Sequence, residues 1–481
     1  MPRRTWLGLG LGAALLAWGC GGGITGAPVD HRQDAAVAAD AAPGDAPAPV
    51  DAPPDLAAPA DAAPDAGPDG PVDFCGGSGP IVTVGDGVHT YDACTGQLAE
   101  NIFRNAVCTC NNTQLAGYLL TRAFDSSQGP YQEGVNDSGG AVGINNHYSL
   151  SAGYTDVGGS LAIAGPDSLS FVGYLQVRGD LELAANATAL GYVRVRRDAY
   201  LRGDFLGLGV IDVDNDLHRQ GSVNAIQVNV GGAEINEPVT VDPPCDCDPA
   251  HLLDITGLVG YAATHNDNAG IGLATDALKD VFWSAELTLP CGRYYLDEVS
   301  GLAEIIVNVQ ERVALFIGGD LRAGGNVEFR IAPGAEVDIF VKGNLVLVGA
   351  ASFGDKDHPA RTRLYVGGTG DITLVGAGGF VGNVYAPRAK VTAVGFAEVY
   401  GSVFARDFVS PGYAHIVYDR AILTAGEACD APEPPTGSCE PCLGCTGGAA
   451  CVGGVCAPCT GDGDCCGQQV CYEGGCVPLL L

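Results

Sequence analysis

Within Val210-Ile-Asp-Val-Asp-Asn-Asp216, three carboxylates fall at alternate positions: Asp212, Asp214 and Asp216. On an extended strand alternate side chains share a face, so the three would line up while Val213 points into a core. Carboxylates so placed can hold Ca²⁺, or divide acid and base roles in cutting a polysaccharide. The stretch fails as an EF-hand loop, because Leu217 replaces the turn glycine and Val223 the final glutamate. A solvated acidic face is the simpler expectation, and calcium binding is the first alternative.

The other chemistry-bearing residues are weaker candidates. Arg194, Arg196, Arg197 and Arg202 form a basic cluster, with Arg178 one repeat earlier and Asp212 and Asp214 one repeat later. Ion pairs between repeats account for it, with an anionic-glycan patch as the alternative. His251, His265, His358 and His415 show no metal-type spacing, and no GxSxG, HExxH, P-loop or dinucleotide fingerprint is present. The expectation is a protein without catalysis, metal or cofactor.

Cysteine chemistry points to cross-links. Cys439-x-x-Cys442-x-x-Cys445 and Cys456-x-x-Cys459 have zinc-like spacing, but no histidine follows His415. Apart from Cys20, eight cysteines (Cys75, Cys94, Cys108, Cys110, Cys245, Cys247, Cys291, Cys429) precede a block of ten. The ten are Cys439, Cys442, Cys445, Cys451, Cys456, Cys459, Cys465, Cys466, Cys471 and Cys476. Even counts in both blocks favour closed disulfide sets in an exported chain. Cys108-Thr-Cys110 and Cys245-Asp-Cys247 are expected to fasten a capping region and an insert to the main body.

The element that must position these residues is a repeat. Val172-Gly-Tyr-Leu-Gln-Val, Leu190-Gly-Tyr-Val-Arg-Val and Leu208-Gly-Val-Ile-Asp-Val follow one another at a spacing of eighteen. A second series, of wider pitch, runs through Phe316-Ile-Gly-Gly-Asp, Phe340-Val-Lys-Gly-Asn, Tyr365-Val-Gly-Gly, Val384-Tyr-Ala and Val403-Phe-Ala. Alternating apolar residues closed by Gly, Asn or Asp describe one coil each of a mainly β, right-handed parallel β-solenoid. Val384, Ala386, Val403 and Ala405 should point inward, Tyr385 and Phe404 outward, and Pro387 should end its strand. Residues 243–300 break the rhythm. Two helices are expected there, in 245–259 (opening at Asp248-Pro249) and 269–283, packed on the flank.

The expected organisation is a leader (1–20), a spacer (21–73), the solenoid (74–428) with its insert, and a cysteine-rich module (429–481). The spacer is Ala, Pro and Asp with almost no large apolar residue, so it cannot offset its ordering entropy. The formal net charge of -32 argues against a nucleic-acid partner. Arg3 and Arg4 precede an apolar run too short to span a bilayer, ending in Leu15-Leu-Ala-Trp-Gly-Cys20. This resembles a bacterial lipoprotein signal, which implies lipidation of Cys20, with palmitate among its acyl chains, and attachment to the outer membrane or cell surface.

Residues 315–423 resemble an uncharacterised β-solenoid domain of bacterial cell-surface proteins, often found beside pilus-assembly domains. The resemblance rests on Leu364-Tyr-Val-Gly-Gly, Gly382-Asn-Val-Tyr-Ala-Pro387, Val391-Thr, Val399-Tyr-Gly-Ser-Val-Phe-Ala405 and Ile416-Val-Tyr-Asp419. It implies architecture and surface location and supplies no catalytic residue. The tail is similar to cysteine-rich ends of exported lipoproteins, and Asp464-Cys-Cys466 has knottin-type spacing. The leading expectation is a structural or adhesive surface lipoprotein, meeting surface polysaccharide or other surface proteins. A carbohydrate-active or calcium-dependent glycan-binding solenoid is the alternative, and a minor pilus component a third reading.

Overall fold

A computed structural model describes residues 102–425, apart from 167, 250, 350, 377 and 378. Short stretches at 74–76, 83–85, 90–92, 450–452, 455–457, 469–472 and 475–478 are also described. Every described residue belongs to one unit, within Pro68–Leu481. The leader with Cys20, the spacer, and Cys94, Cys429, Cys439, Cys442, Cys445, Cys459, Cys465 and Cys466 lie outside the described residues. Cys451 and Cys456 are opposite in one antiparallel hairpin, Cys471 and Cys476 in another.

Alternation at period two makes each coil. In Ala187–Val195, Ala187, Ala189, Val193 and Val195 are buried while Thr188, Leu190, Tyr192 and Arg194 face outward. Each of these nine residues pairs in parallel with its counterpart in Leu169–Val177. About thirteen such coils stack, each of up to three short strands around a column of Val, Leu, Ile, Ala and Phe. Burying each large aliphatic side chain contributes roughly 1.5–3 kcal/mol, and this repeated burial drives the stacking.

The coils do not stack in chain order. From residue 107 the chain climbs through Leu161–Ile163, Leu181–Leu183, Ala199–Leu201 and Leu217–Arg219 to a last strand, Glu234–Asn236. It then returns past its own starting point to Ala285 and winds back inward. Its final coil lays Val403–Ala405 beside Val107–Thr109 and Tyr413–Asp419 beside Tyr118–Phe124. The two repeat series are therefore opposite halves that meet at a waist. Buried Asp419 locks it, accepting hydrogen bonds from the backbone N–H groups of Ser126, Ala360 and Ala421 at 2.9–3.1 Å.

The return segment lies along one face. In an outward column Phe316, Phe340 and Tyr365 stack face to face and Tyr385 and Phe404 follow with tilted rings, centroids 4.6–6.1 Å apart. These rings are buried because the return covers them: Leu253 N–H donates to Tyr385 Oη at 3.1 Å. The helix Ile255–Ala262 packs Ile255, Val259 and Ala262 onto strands Gly292–Leu296, Arg312–Ile317 and Glu336–Val341. Disulfides Cys108–Cys245 and Cys110–Cys247 clasp the return across the waist, and Cys75–Cys291 pins residue 75 to the coil at Ala285–Gly301.

Four expectations are corrected. Cys108 and Cys110 sit in an internal coil rather than a capping region, because residues 403–405 pair on its other side. The helical content of 243–300 is only Ile255–Ala262 and Asn268–Ile271, while Ala285–Leu289, Gly292–Leu296 and Val299–Gly301 build a coil. The first helix opens at Asp254, whose carboxylate accepts from Gly257 N–H at 2.9 Å, and not at Asp248-Pro249. Strand Asn383–Tyr400 runs through Pro387 with a register shift between Ala386 and Lys390, so the proline displaces the ladder without ending the strand.

Candidate functional site

Asp212, Asp214 and Asp216 do not converge. The strand ends at Val213, and each carboxylate has its own task. Asp212 accepts from Tyr192 Oη on one side and from Asn229 Nδ2 (2.5 Å) on the other. The hydrogen bond to Asp212 holds the Tyr192 hydroxyl above its ordinary pKa. Asp214 pairs with Arg194 at 3.4 Å and Arg196 at 3.3 Å, between coils. Asp216 lies at the next corner and accepts from Ala233 N–H at 2.6 Å.

That corner repeats. Asp180 accepts from Asp198 N–H at 3.1 Å, and Asp198 from Asp216 N–H at 3.0 Å. In the other half Asp320 accepts from Asn344 N–H (2.7 Å), and Asn344 from Gly370 N–H (2.8 Å). The corner Asp and Asn residues, three of them in Gly-Asp or Gly-Asn phrases, are thus ladder caps, each carboxylate or amide satisfying a backbone donor one coil away. Arg197 joins this ladder through Asp180 at 3.4 Å, whereas Arg178 turns to Asp156 at 2.9 Å. Burial raises the Asp156 pKa, but the hydrogen bonds from Arg178 and Arg122 outweigh it and hold the carboxyl below its usual range.

A second column was not anticipated. Phe396, Tyr413, Tyr118, Tyr154, Tyr174 and Tyr192 form a ladder that crosses the waist. Each follows a glycine, at 395, 412, 117, 153, 173 and 191, and this shared dipeptide was the available signal. Tyr154, Tyr174 and Tyr192 stack at 5.0 and 5.1 Å with planes 16–18° apart. The faces between neighbouring rings are therefore covered, and the Tyr154, Tyr174 and Tyr192 hydroxyls are engaged by Asp156, Gln176 and Asp212. A sugar platform needs open ring faces.

A cavity of about 560 Å³ lies at the clasp, lined by Arg104, Asn145, Pro243–Asp248 and His251. Asp246 and His251 approach to 3.0 Å there, but the two cysteines are disulfide-bonded and no serine or threonine lines the cavity. His265 stacks on Tyr261, His358 pairs with Asp355 at 3.1 Å, and His415 is buried near Glu398. Among the described residues no three His, Cys, Asp or Glu side chains are grouped to hold a metal ion, and no helix is long and apolar enough to cross a membrane.

The fold and these surfaces define a β-solenoid whose polar groups chiefly serve its own stacking. A family model described as a domain of unknown function, DUF7305, matches residues 246–425, which cover most of the return segment and the whole second half. No curated protein matches the chain. Among solved structures, an ice-binding protein from an Antarctic bacterium of the Flavobacteriaceae is 12% identical, over 68% of this chain and 98% of that one, with a TM-score of 0.12. Overlap that slight carries no argument about activity.

Proposed function

We propose that the protein is a non-catalytic, lipid-anchored scaffold at the outer membrane or cell surface. In this reading Cys20 carries the lipid, the Ala/Pro/Asp spacer holds the folded part clear of the membrane, and the cysteine-rich module forms a stapled tip. The supporting observation is how the acidic side chains are used: Asp180, Asp198, Asp216, Asp320 and Asp419 cap backbone donors. Carboxylates so employed are unavailable for acid–base work, and a rigid, filled rod suits display rather than turnover. The match to a domain of unknown function is compatible with surface display, and pilus-associated company would extend it.

The competing reading is a glycan-cleaving or calcium-dependent solenoid acting through Asp212, Asp214 and Asp216. It is tested by incubating the purified protein with a panel of acidic polysaccharides, with and without calcium. The scaffold reading expects no new reducing ends, and no difference for Asp212→Asn or Asp214→Asn. Sugar release that disappears in either variant would overturn it.

A further inference from the structure

The two ends of the solenoid are finished differently. At the Ala285–Gly301 end, Asn268 mimics a strand: its Nδ2 donates to Tyr295 O at 2.7 Å and its Oδ1 accepts from Tyr295 N–H at 2.9 Å. Asp267 does the same to Arg293 through its backbone N–H and its carboxylate, both at 2.7 Å. Val281 bridges to Gly301. Two of the three sides are thus capped there. At the other end, among the described residues, strands Val223–Asn224, Gln227–Val230 and Glu234–Asn236 each pair only with the coil beneath.

That last coil also leaves its inward residues uncovered. Val228 is 37% exposed, although Ile211 directly beneath is fully buried, and Ile226 at the corner is 77% exposed. Open strand edges over a half-covered core are surfaces that pair with another chain. From Gln220 to Ala233 there is no charged residue, in a chain whose formal net charge is -32. Two copies repel over most of their surfaces and can approach most closely here.

We propose that this end is a two-fold interface, where a second copy of the chain continues the stack end to end. The register comes from the sequence. Val223-Asn-Ala-Ile-Gln-Val-Asn-Val230 reads nearly the same in reverse. Antiparallel pairing about an axis between Ile226 and Gln227 sets Val223 against Val230, Asn224 against Asn229, and Ala225 against Val228. In each of these pairs both residues come from the same face: Val223, Val228 and Val230 lie over core positions Phe205, Ile211 and Val213, and Asn224 and Asn229 over outward Leu206 and Asp212.

The third side agrees. Val210 pairs with Gln227 and Leu217 with Glu234, so one turn here is 17 residues in both registers (227 − 210 and 234 − 217). An axis entering between 226 and 227 therefore leaves through Ile235, placing that residue opposite itself. Glu234 then faces the Asn236 amide of the second copy, which supplies a donor to its carboxylate. Glu234 and its partner Arg219 occupy inward positions, which discourages pairing in other registers. An isologous contact closes at two subunits, whereas head-to-tail growth would meet the caps at the other end. The Cys75–Cys291 ends then lie outermost, roughly 120 Å apart at about 4.8 Å per coil.

A residue on a two-fold axis cross-links to itself, so Ile235→Cys in the full chain, solubilised in detergent and mildly oxidised, reports on the axis directly. The expected result is a covalent dimer on a non-reducing gel. Thr188→Cys, outward and two coils below Asn224 of the last coil, should give at least tenfold less. Adding Val228→Asp should abolish the Ile235→Cys dimer and bring the light-scattering mass of the particle's protein to one chain, with an unchanged β-sheet circular dichroism spectrum. Equal cross-linking of Ile235→Cys and Thr188→Cys, or a single-chain mass before Val228→Asp is introduced, would overturn the proposal. That result would also be the one seen if another segment of the same chain covers this end.

Discussion

His415 shows how a single buried group at the waist carries a pH dependence. Burial lowers its pKa from 6.5, Glu398 lies 3.9 Å away, and the rings of Tyr131 and Tyr413 meet it edge-on. The unfolded chain therefore takes up this proton more readily than the folded one. Stability from His415 is fully present above about pH 6.5, and falls as the pH drops from there through the lower folded value. Urea unfolding of wild type and His415→Gln at a series of pH values should show wild type losing more stability between about pH 7 and pH 5. Parallel curves would remove His415 from the account. Arg363 presents a different residue-scale case. It is fully buried, donating to Asp338 at 2.6 and 2.8 Å and to Glu336 at 2.9 Å. Removing one partner of such a set typically costs about 3–5 kcal/mol.

Among elements, the glycine–aromatic corner is the most demanding. Gly173 and Gly191 adopt φ values of 127° and 139°, and a Cβ on Gly191 would overlap the carbonyl oxygen of Gly173. Each coil's glycine thus lets the next sit at strand spacing. Gly191→Ala should destabilise by at least about 2 kcal/mol in urea unfolding, whereas Gly260→Ala, in a helix with open space around it, should stabilise by up to about 1 kcal/mol. A neutral Gly191→Ala would refute the close approach. The corner was half legible. Regular spacing placed Tyr174 over Tyr192, since those coils are consecutive in the chain. Tyr118 over Tyr413 was hidden because their separation of 295 residues (413 − 118) matches no repeat, and only the recurring Gly-Tyr dipeptide links them. The helices were misplaced for a local reason: residues 272–281 are held by turns and by bonds such as Asp297 N–H to Thr275 O at 2.7 Å, which outcompete a continued helix.

At the scale of the whole molecule, the waist changes where function can sit. The solenoid begins and ends at its middle, so its first and last coils support each other and neither closes an end of the stack. Among the described residues, one end is capped on two of its three sides and held to residue 75, and no strand pairs beyond the other. Solenoid class and inward column were readable from periodicity, because stacking identical turns leaves an arithmetic trace. The joining of the halves leaves none, nor does the use of Asp216 as a corner cap, which depends on a backbone donor in the following coil. The scaffold reading rests finally on anchorage at Cys20. Fractionation of cells expressing wild type or Cys20→Ala, with labelled palmitate supplied, tests it most directly. The account predicts label and membrane association for wild type, and an unlabelled chain released to the soluble fraction for Cys20→Ala. Membrane association that survives Cys20→Ala, or wild-type protein recovered in the cytosol, would contradict it.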